Sequence, residues 1–187
     1  QAAKQANMPK DNISRAISKS ESGDNKNYEN LRYEGFGPFN TAIIIETLTD
    51  NKNRSASSIR TVLQKNGGRL GETGSTKHMF TNCGIIHIEK NKISDDDALE
   101  ASINAGAKDC FQFLDKHEII TEKEDFYKVK TNLEDKVDYL SYAAIEWRAK
   151  NYLNLDKDQS KKMIEVLRAL EEIDDVQEVY TNANLES

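Results

Sequence analysis

Cysteine is scarce in this chain, and long apolar runs are absent. Two cysteines, Cys83 and Cys110, lie far apart with no CxxC. That excludes a disulfide framework and a cysteine zinc site, and points to two small reduced core residues in a reducing compartment. No apolar run approaches the ~20 residues that a membrane span needs. No signal-peptide pattern opens the sequence. The first residue is Gln in helix-forming sequence, so the chain reads as a fragment or processed product. No short-period repeat or low-complexity segment appears.

Catalytic signatures are missing too. His78, His87 and His117 stand in no HExxH and beside no Cys or Ser motif, so all three read as structural or surface residues. The acidic runs Asp95-Asp96-Asp97, Glu171-Glu172 and Asp174-Asp175 lack DxDxDG spacing. The first suits a helix start, where acids favour the dipole. The last reads as a solvated turn. No cofactor, metal or small-molecule substrate is expected.

What is present is an ordinary globular composition, 37% hydrophobic and 31% charged, with a net charge of −6. The charge is uneven. Residues 52–77 hold Arg54, Arg60, Lys65, Arg69, Lys77 and Lys52 against a single acid, Glu72, whereas everything after residue 77 is strongly acidic. Such a chain can engage phosphate locally while the rest repels it.

Hydrophobic periodicity organises the chain. Residues 1–20 read as a helix end and a short helix, with Asn7 as cap and Pro9 in the first turn. SESGDNKN, residues 20–27, reads as a linker. Residues 29–35 alternate as a strand. TAIIIETL, residues 41–48, reads as a central strand buried on both faces. Residues 52–66 form a helix with Ala56, Ile59, Val62 and Leu63 inward and Arg54, Ser58, Thr61 and Lys65 outward. KHMF, residues 77–80, reads as a short strand.

A second cycle follows: strand 84–90, helix 95–105 capped by Ser94 and ended by Gly106, strands 109–114 and 117–122, helix 124–136 and strand 138–147. That is the β-α-β-β-α-β order of ferredoxin-like folds. The tail adds a helix, 158–172, and a strand, 176–180. These have no place in a complete second cycle, but they complete the unfinished first one. The expected fold is therefore α+β: two ferredoxin-like α/β domains, one inserted into the other, after the remnant of a helical N-terminal domain. Residues 1–27 are that remnant and linker. Residues 28–81 plus 151–187 form the split domain, and 82–150 the inserted one.

The stretch NGGRLGETGS, residues 66–75, carries Gly67, Gly68, Gly71 and Gly74. A Walker loop needs a lysine after its last glycine, and Ser75 stands there. A dinucleotide loop follows a strand and opens a helix, and this stretch follows a helix. Gly68-Arg69-Leu70-Gly71 matches the GxxG of KH domains, but no helix follows it. A helix cap and turn explains the glycines as well. Charge favours function: exposed arginines beside flexible glycines let a nucleic-acid backbone come close. Arg54, Arg60, Lys65, Arg69 and Lys77 are the candidate contacts, with Lys10 and Arg15 in the N-terminal segment. Base stacking of the RRM kind is not expected, because the 41–48 strand has no aromatic.

NMPKDNISRAI (7–17), YEGFGPFNTAIIIETLTDNKNRS (33–55), NGGRLGETGST (66–76) and DDVQEVYTN (174–182) closely resemble the YebC/PmpR family. The similarity covers nearly the whole chain and is loosest over 107–155. It implies a helical domain followed by two α/β domains, the third inserted into the second. It implies a non-enzymatic protein of gene expression, either a DNA-binding regulator or a ribosome-associated factor that assists proline-rich translation. The family's usual basic opening of the AGHSKW…HRK kind is not in this sequence.

Three functions are then in play: an RNA- or ribosome-associated translation factor, a duplex-DNA-binding transcriptional regulator, and an acidic protein-interaction module, with an enzyme ranked last. The 52–66 helix offers a thin set for base readout, and the acidic remainder would lie poorly along a duplex. The leading expectation is a monomeric translational activator contacting rRNA or tRNA, with no membrane partner and with DNA binding as the alternative. It would sit in the cytoplasm of a bacterium or the matrix of a mitochondrion.

Overall fold

The computed structural model describes residues 4–5 and 27–186. In chain order the strands are β1 Lys4–Gln5, β2 Glu29–Phe36, β3 Ala42–Thr49, β4 Arg69–Leu70, β5 Phe80–Glu89, β6 Asp109–Gln112, β7 Lys116–Glu122, β8 Tyr142–Ala149, β9 Leu153–Asn154, β10 Val176–Thr181 and β11 Ala183–Leu185. The helices are α1 Lys52–Lys65, α2 Asp95–Ala105, α3 Phe126–Glu134 and α4 Lys157–Glu171. The fold is α+β, with two antiparallel four-stranded sheets. Two compact units result: Asn82–Arg148, and the flanking segments that end at Thr81 and resume at Ala149.

In the split unit the strand order is β10-β3-β2-β4. The β-branched run explains why β3 is central: Ala42, Ile43, Ile44 and Ile45 are all fully buried. Ile43 and Ile45 meet Ile59 and Leu63 of α1 and Met163, Val166, Leu167 and Leu170 of α4. Each such aliphatic side chain contributes roughly 1.5–3 kcal/mol through burial. Most of this core comes from the tail while three of the four strands come from the first segment, so neither chain segment folds this sheet alone. Among the residues expected inward on α1, Ile59 and Leu63 are fully buried, Ala56 and Val62 are half-buried, and Ser55 joins the buried set.

The other unit orders its strands β6-β7-β5-β8. Ile86, Ile88 and Ile119 pack beneath α2 and α3 against Ala101, Ala105, Phe126, Val129 and Leu133. Ser94 caps α2 by accepting from the Asp97 N–H at 3.1 Å. Gly106 ends it in the left-handed region, φ 97°. Cys83 is buried, Cys110 is half-buried, and both are free thiols.

Three expectations change. KHMF is not a strand: Lys77–Met79 makes one 3-10 turn, and Phe80 already begins β5. The edge strand of the first sheet is β4, inside the glycine stretch, paired with Gly35 and Phe36. Lys4 and Gln5 are not a helix end; they pair as β1 with Leu185 and Asn184. The short helix expected over 7–20, and with it Lys10 and Arg15, lies outside the described residues. Among the described residues no helix is long and apolar enough to cross a membrane.

Two glycine-like positions are occupied by other residues. Phe39 and Asn40 both adopt positive φ, 62° and 60°. For an L-residue that conformation costs roughly 1–2 kcal/mol. Gly68 poses the opposite problem, since a Cβ there would lie 2.1 Å from the Phe36 carbonyl oxygen. Gly68→Ala should therefore lower stability by about 2 kcal/mol or more, whereas Phe39→Gly should leave it unchanged or raise it by about 1 kcal/mol. Urea unfolding of the two variants beside the parent chain checks both signs.

Candidate nucleic-acid interface

The basic segment is a helix, a cap, an edge strand and a pinned loop. Asn51 opens α1 by accepting from the Arg54 N–H at 3.1 Å. The helix closes in a Schellman arrangement: Gly68 N–H donates to Leu63 O at 2.7 Å and Gly67 N–H to Gln64 O at 3.4 Å. Gly67 takes the left-handed conformation this motif requires, φ 81°. The chain then passes so close to Phe36 and Gly37 that only glycine fits at residue 68. Arg69 emerges on β4 with its guanidinium 4.4 Å from the centre of the Phe36 ring, a cation–π contact that holds the side chain in place.

Beyond β4 the loop is organised by one carboxylate. Glu34 is buried, 2% exposed, on β2. It accepts from the N–H groups of Gly74 at 2.8 Å, Thr76 at 3.0 Å and Lys77 at 2.6 Å. Its main-chain oxygen also receives the Gly71 N–H at 2.8 Å. Gly74 is left-handed, φ 89°, which turns its amide towards the carboxylate. Converging loop amides of this kind form an anion cradle. Here the anion is already present and it belongs to the protein. The glycines serve close approach and left-handed turns, and the loop they build is held, not slack. Burial alone would raise the Glu34 pKa, but the three backbone donors outweigh it and hold the group below its ordinary 4.5.

The five described candidate cations do not behave alike. Arg60, Lys65, Arg69 and Lys77 are exposed. Arg54 is committed elsewhere: its Nη2 donates to Asp50 at 2.7 Å and to Asp175 at 3.0 Å, and its Nε reaches Asp175 at 3.2 Å. Asp175 is therefore no solvated turn residue. It is 3% exposed and also accepts from Ser55 Oγ at 2.7 Å and Thr49 Oγ1 at 3.1 Å. Sequence reasoning missed Glu34, Asp175 and Lys162, whose Nζ donates to the Asn66 side chain at 3.2 Å and brings α4 to the α1 C-terminus. A charged residue in an otherwise β-forming run was the available signal for Glu34. The Arg54–Asp175 pair joins residues 121 apart and left no local trace. Among the described residues no group of three His, Cys, Asp or Glu side chains is placed to hold a metal ion.

Comparison with known proteins agrees with this architecture. A family model described as the TACO1/YebC second and third domain matches residues 28–183. The whole chain aligns at 49% identity with 78% of a protein of Pelagibacter ubique (strain HTCC1062) named a probable transcriptional regulatory protein. The crystal structure of a conserved hypothetical protein from Aquifex aeolicus superposes with a TM-score of 0.77 at 36% identity, over 94% of this chain and 73% of that one. The α+β fold is thus shared with a solved protein. The chain belongs to the TACO1/YebC family.

Three outcomes test the assignments of Glu34, Asp175 and Arg54. Because Glu34 binds its proton more weakly folded than unfolded, its stabilisation is complete above pH 4.5 and is lost as pH falls through the lower folded-state value. The stability difference between the parent chain and Glu34→Gln should therefore be largest near neutrality and shrink below pH 4.5; urea midpoints across that range measure it. Asp175→Ala should cost ~1–3 kcal/mol, since it strands the buried hydroxyl donors of Ser55 and Thr49. Arg54→Ala should cost ~1 kcal/mol at most, since half of that side chain is exposed and screened.

Proposed function

We propose that this chain is a non-enzymatic regulator of gene expression that binds nucleic acid through the edge formed by Arg60, Lys65, Arg69 and Lys77, and that its partner is RNA of the translation apparatus. One observation carries the reading: four exposed cations stand on α1 (Arg60, Lys65) and on the strand and loop that follow its cap (Arg69, Lys77), a path fixed by Glu34 and by the Phe36–Arg69 contact. Backbone fixed in advance loses little conformational freedom when the side chains it carries meet phosphates. Each phosphate neutralised releases counterions, so binding would fall with salt.

The DNA-regulator reading has its own support in the name of the Pelagibacter relative. Duplex readout needs a polar helix face entering the major groove. With Arg54 engaged by Asp50 and Asp175, the outward face of α1 is poorer in donors than its sequence suggests. The remaining cations suit backbone contact with a folded RNA. A bacterial chain of this kind would act in the cytoplasm.

Two further assignments belong to this reading. The strand order β6-β7-β5-β8 supports a ferredoxin-like inserted domain over 82–150. The order β10-β3-β2-β4 supports the same plan in 28–81 plus 151–187, with its third strand, β2, moved to the front of the chain.

Reversing Arg60, Lys65 and Arg69 to Glu should weaken ribosome co-sedimentation about ten- to a hundredfold and flatten its salt dependence by about one phosphate contact per cation. Undiminished co-sedimentation would remove this edge from the interface. Loss of duplex-DNA binding alone would favour the transcriptional reading.

A further inference from the structure

A second feature of the split unit begins at the last residue of that edge, Lys77, which shares a turn with His78. His78, Met79, Lys150, Asn151, Tyr152, Leu153 and Asn182 line a cleft of about 460 Å³. That volume is within the roughly 300–1,000 Å³ of small-ligand sites. Its frame is backbone: Lys150 N–H donates to Met79 O at 2.9 Å and Leu153 N–H to Asn182 O at 2.8 Å. The side chain of Asn182 is fixed by accepting the Ala42 N–H at 2.9 Å. Its amide hydrogens are the bonding capacity it has left. Tyr152 is 41% exposed and Leu153 39%, so an aromatic face and an apolar flank meet water.

Among the described residues no carboxylate lines this cleft. Lys150 and His78 are both exposed, and Lys77 precedes His78 on the same turn. The similarly sized cleft in the other unit differs, because there Glu89 and Asp115 offset Lys90 and Lys116. An aromatic face, unopposed cations and side-chain amides together suit one chemistry, an unstacked nucleobase with its phosphates. Duplex DNA offers no free base face, whereas RNA loops and single strands do.

We infer that this cleft holds one unpaired base of a single-stranded RNA, stacked on Tyr152, with Lys150 and Lys77 meeting the adjoining phosphates. The inference rests on the nucleic-acid reading above and adds a base-binding subsite to it.

The test is the full chain titrated into a short single-stranded RNA carrying 2-aminopurine, whose fluorescence is quenched by stacking. The parent chain should quench it. Tyr152→Ala should bind about tenfold more weakly and lose the quench, while Tyr152→Phe and Tyr152→Trp keep both. Since Tyr152 is partly exposed, unchanged melting curves for all three variants should show that the fold is intact. Quenching and affinity undiminished in Tyr152→Ala would overturn the cleft assignment, as would a parent chain that does not bind the RNA. A free mononucleotide that binds as tightly as the strand would also overturn it. The two sites are separable. If the Arg60, Lys65 and Arg69 reversal weakens binding and Tyr152→Ala does not, the basic edge stands and the cleft falls. If only Tyr152→Ala acts, the cleft stands and the edge falls.

Discussion

The Glu34 carboxylate is buried on β2, where an isolated charge would be expensive. It is tolerated because the amides of Gly74, Thr76 and Lys77 surround it. Those same amides would otherwise be an empty cradle of the kind that binds phosphate. The carboxylate thus does two things at once. It fixes the path of the loop from β4 to β5, and it closes the loop to a nucleotide anion. What the loop then offers outward is the set of side chains that point away from Glu34, Lys77 among them. Under the proposed function, contact with an anion falls to exposed lysine and arginine side chains, because the main-chain amides are already engaged by Glu34.

A second constraint joins the ends of the split unit. β10 and α4 come from the tail, yet β10 pairs with β3 and α4 supplies much of the core beneath it. Asp175, in the turn between α4 and β10, receives Ser55 and Arg54 from the first turn of α1. That network locks the start of α1 to the tail, while Lys162 and Asn66 join the other end of α1 to α4. Arg60, Lys65 and Arg69 therefore stand on a helix and strand anchored at both ends. The chain between the two halves can leave and return as a separate compact unit without disturbing them.

Much of this was legible in the residues. The run Ala42–Ile45 announced a strand covered on both faces, and Ser94 with Gly106 bracketed α2 at its observed ends. The unpartnered tail helix and strand pointed to a split sheet, because they had nowhere else to bury their apolar stripe. What was illegible is of one kind. β4 is two residues long, too short for any periodicity. Glu34 meets its loop across some forty residues, and Arg54 meets Asp175 across 121. A sequence shows which residues are charged; it does not show which charges have found each other. Arg54 looked like the first contact of a basic helix and is instead a partner of Asp175 and Asp50. Tyr152 carries no local signal, since only the fold brings it beside His78 and Lys150.

The basic edge of the split unit is where we propose that nucleic acid binds. Backbone amide spectra of the isotopically labelled chain, recorded while structured ribosomal RNA is added, locate the contact directly. Resonances from residues 60–77 should move first and furthest, the movement should be reversed by added salt, and amides of the acidic 82–148 unit should move little. Shifts confined to that unit, or no shifts in 60–77 at saturating RNA, would contradict it.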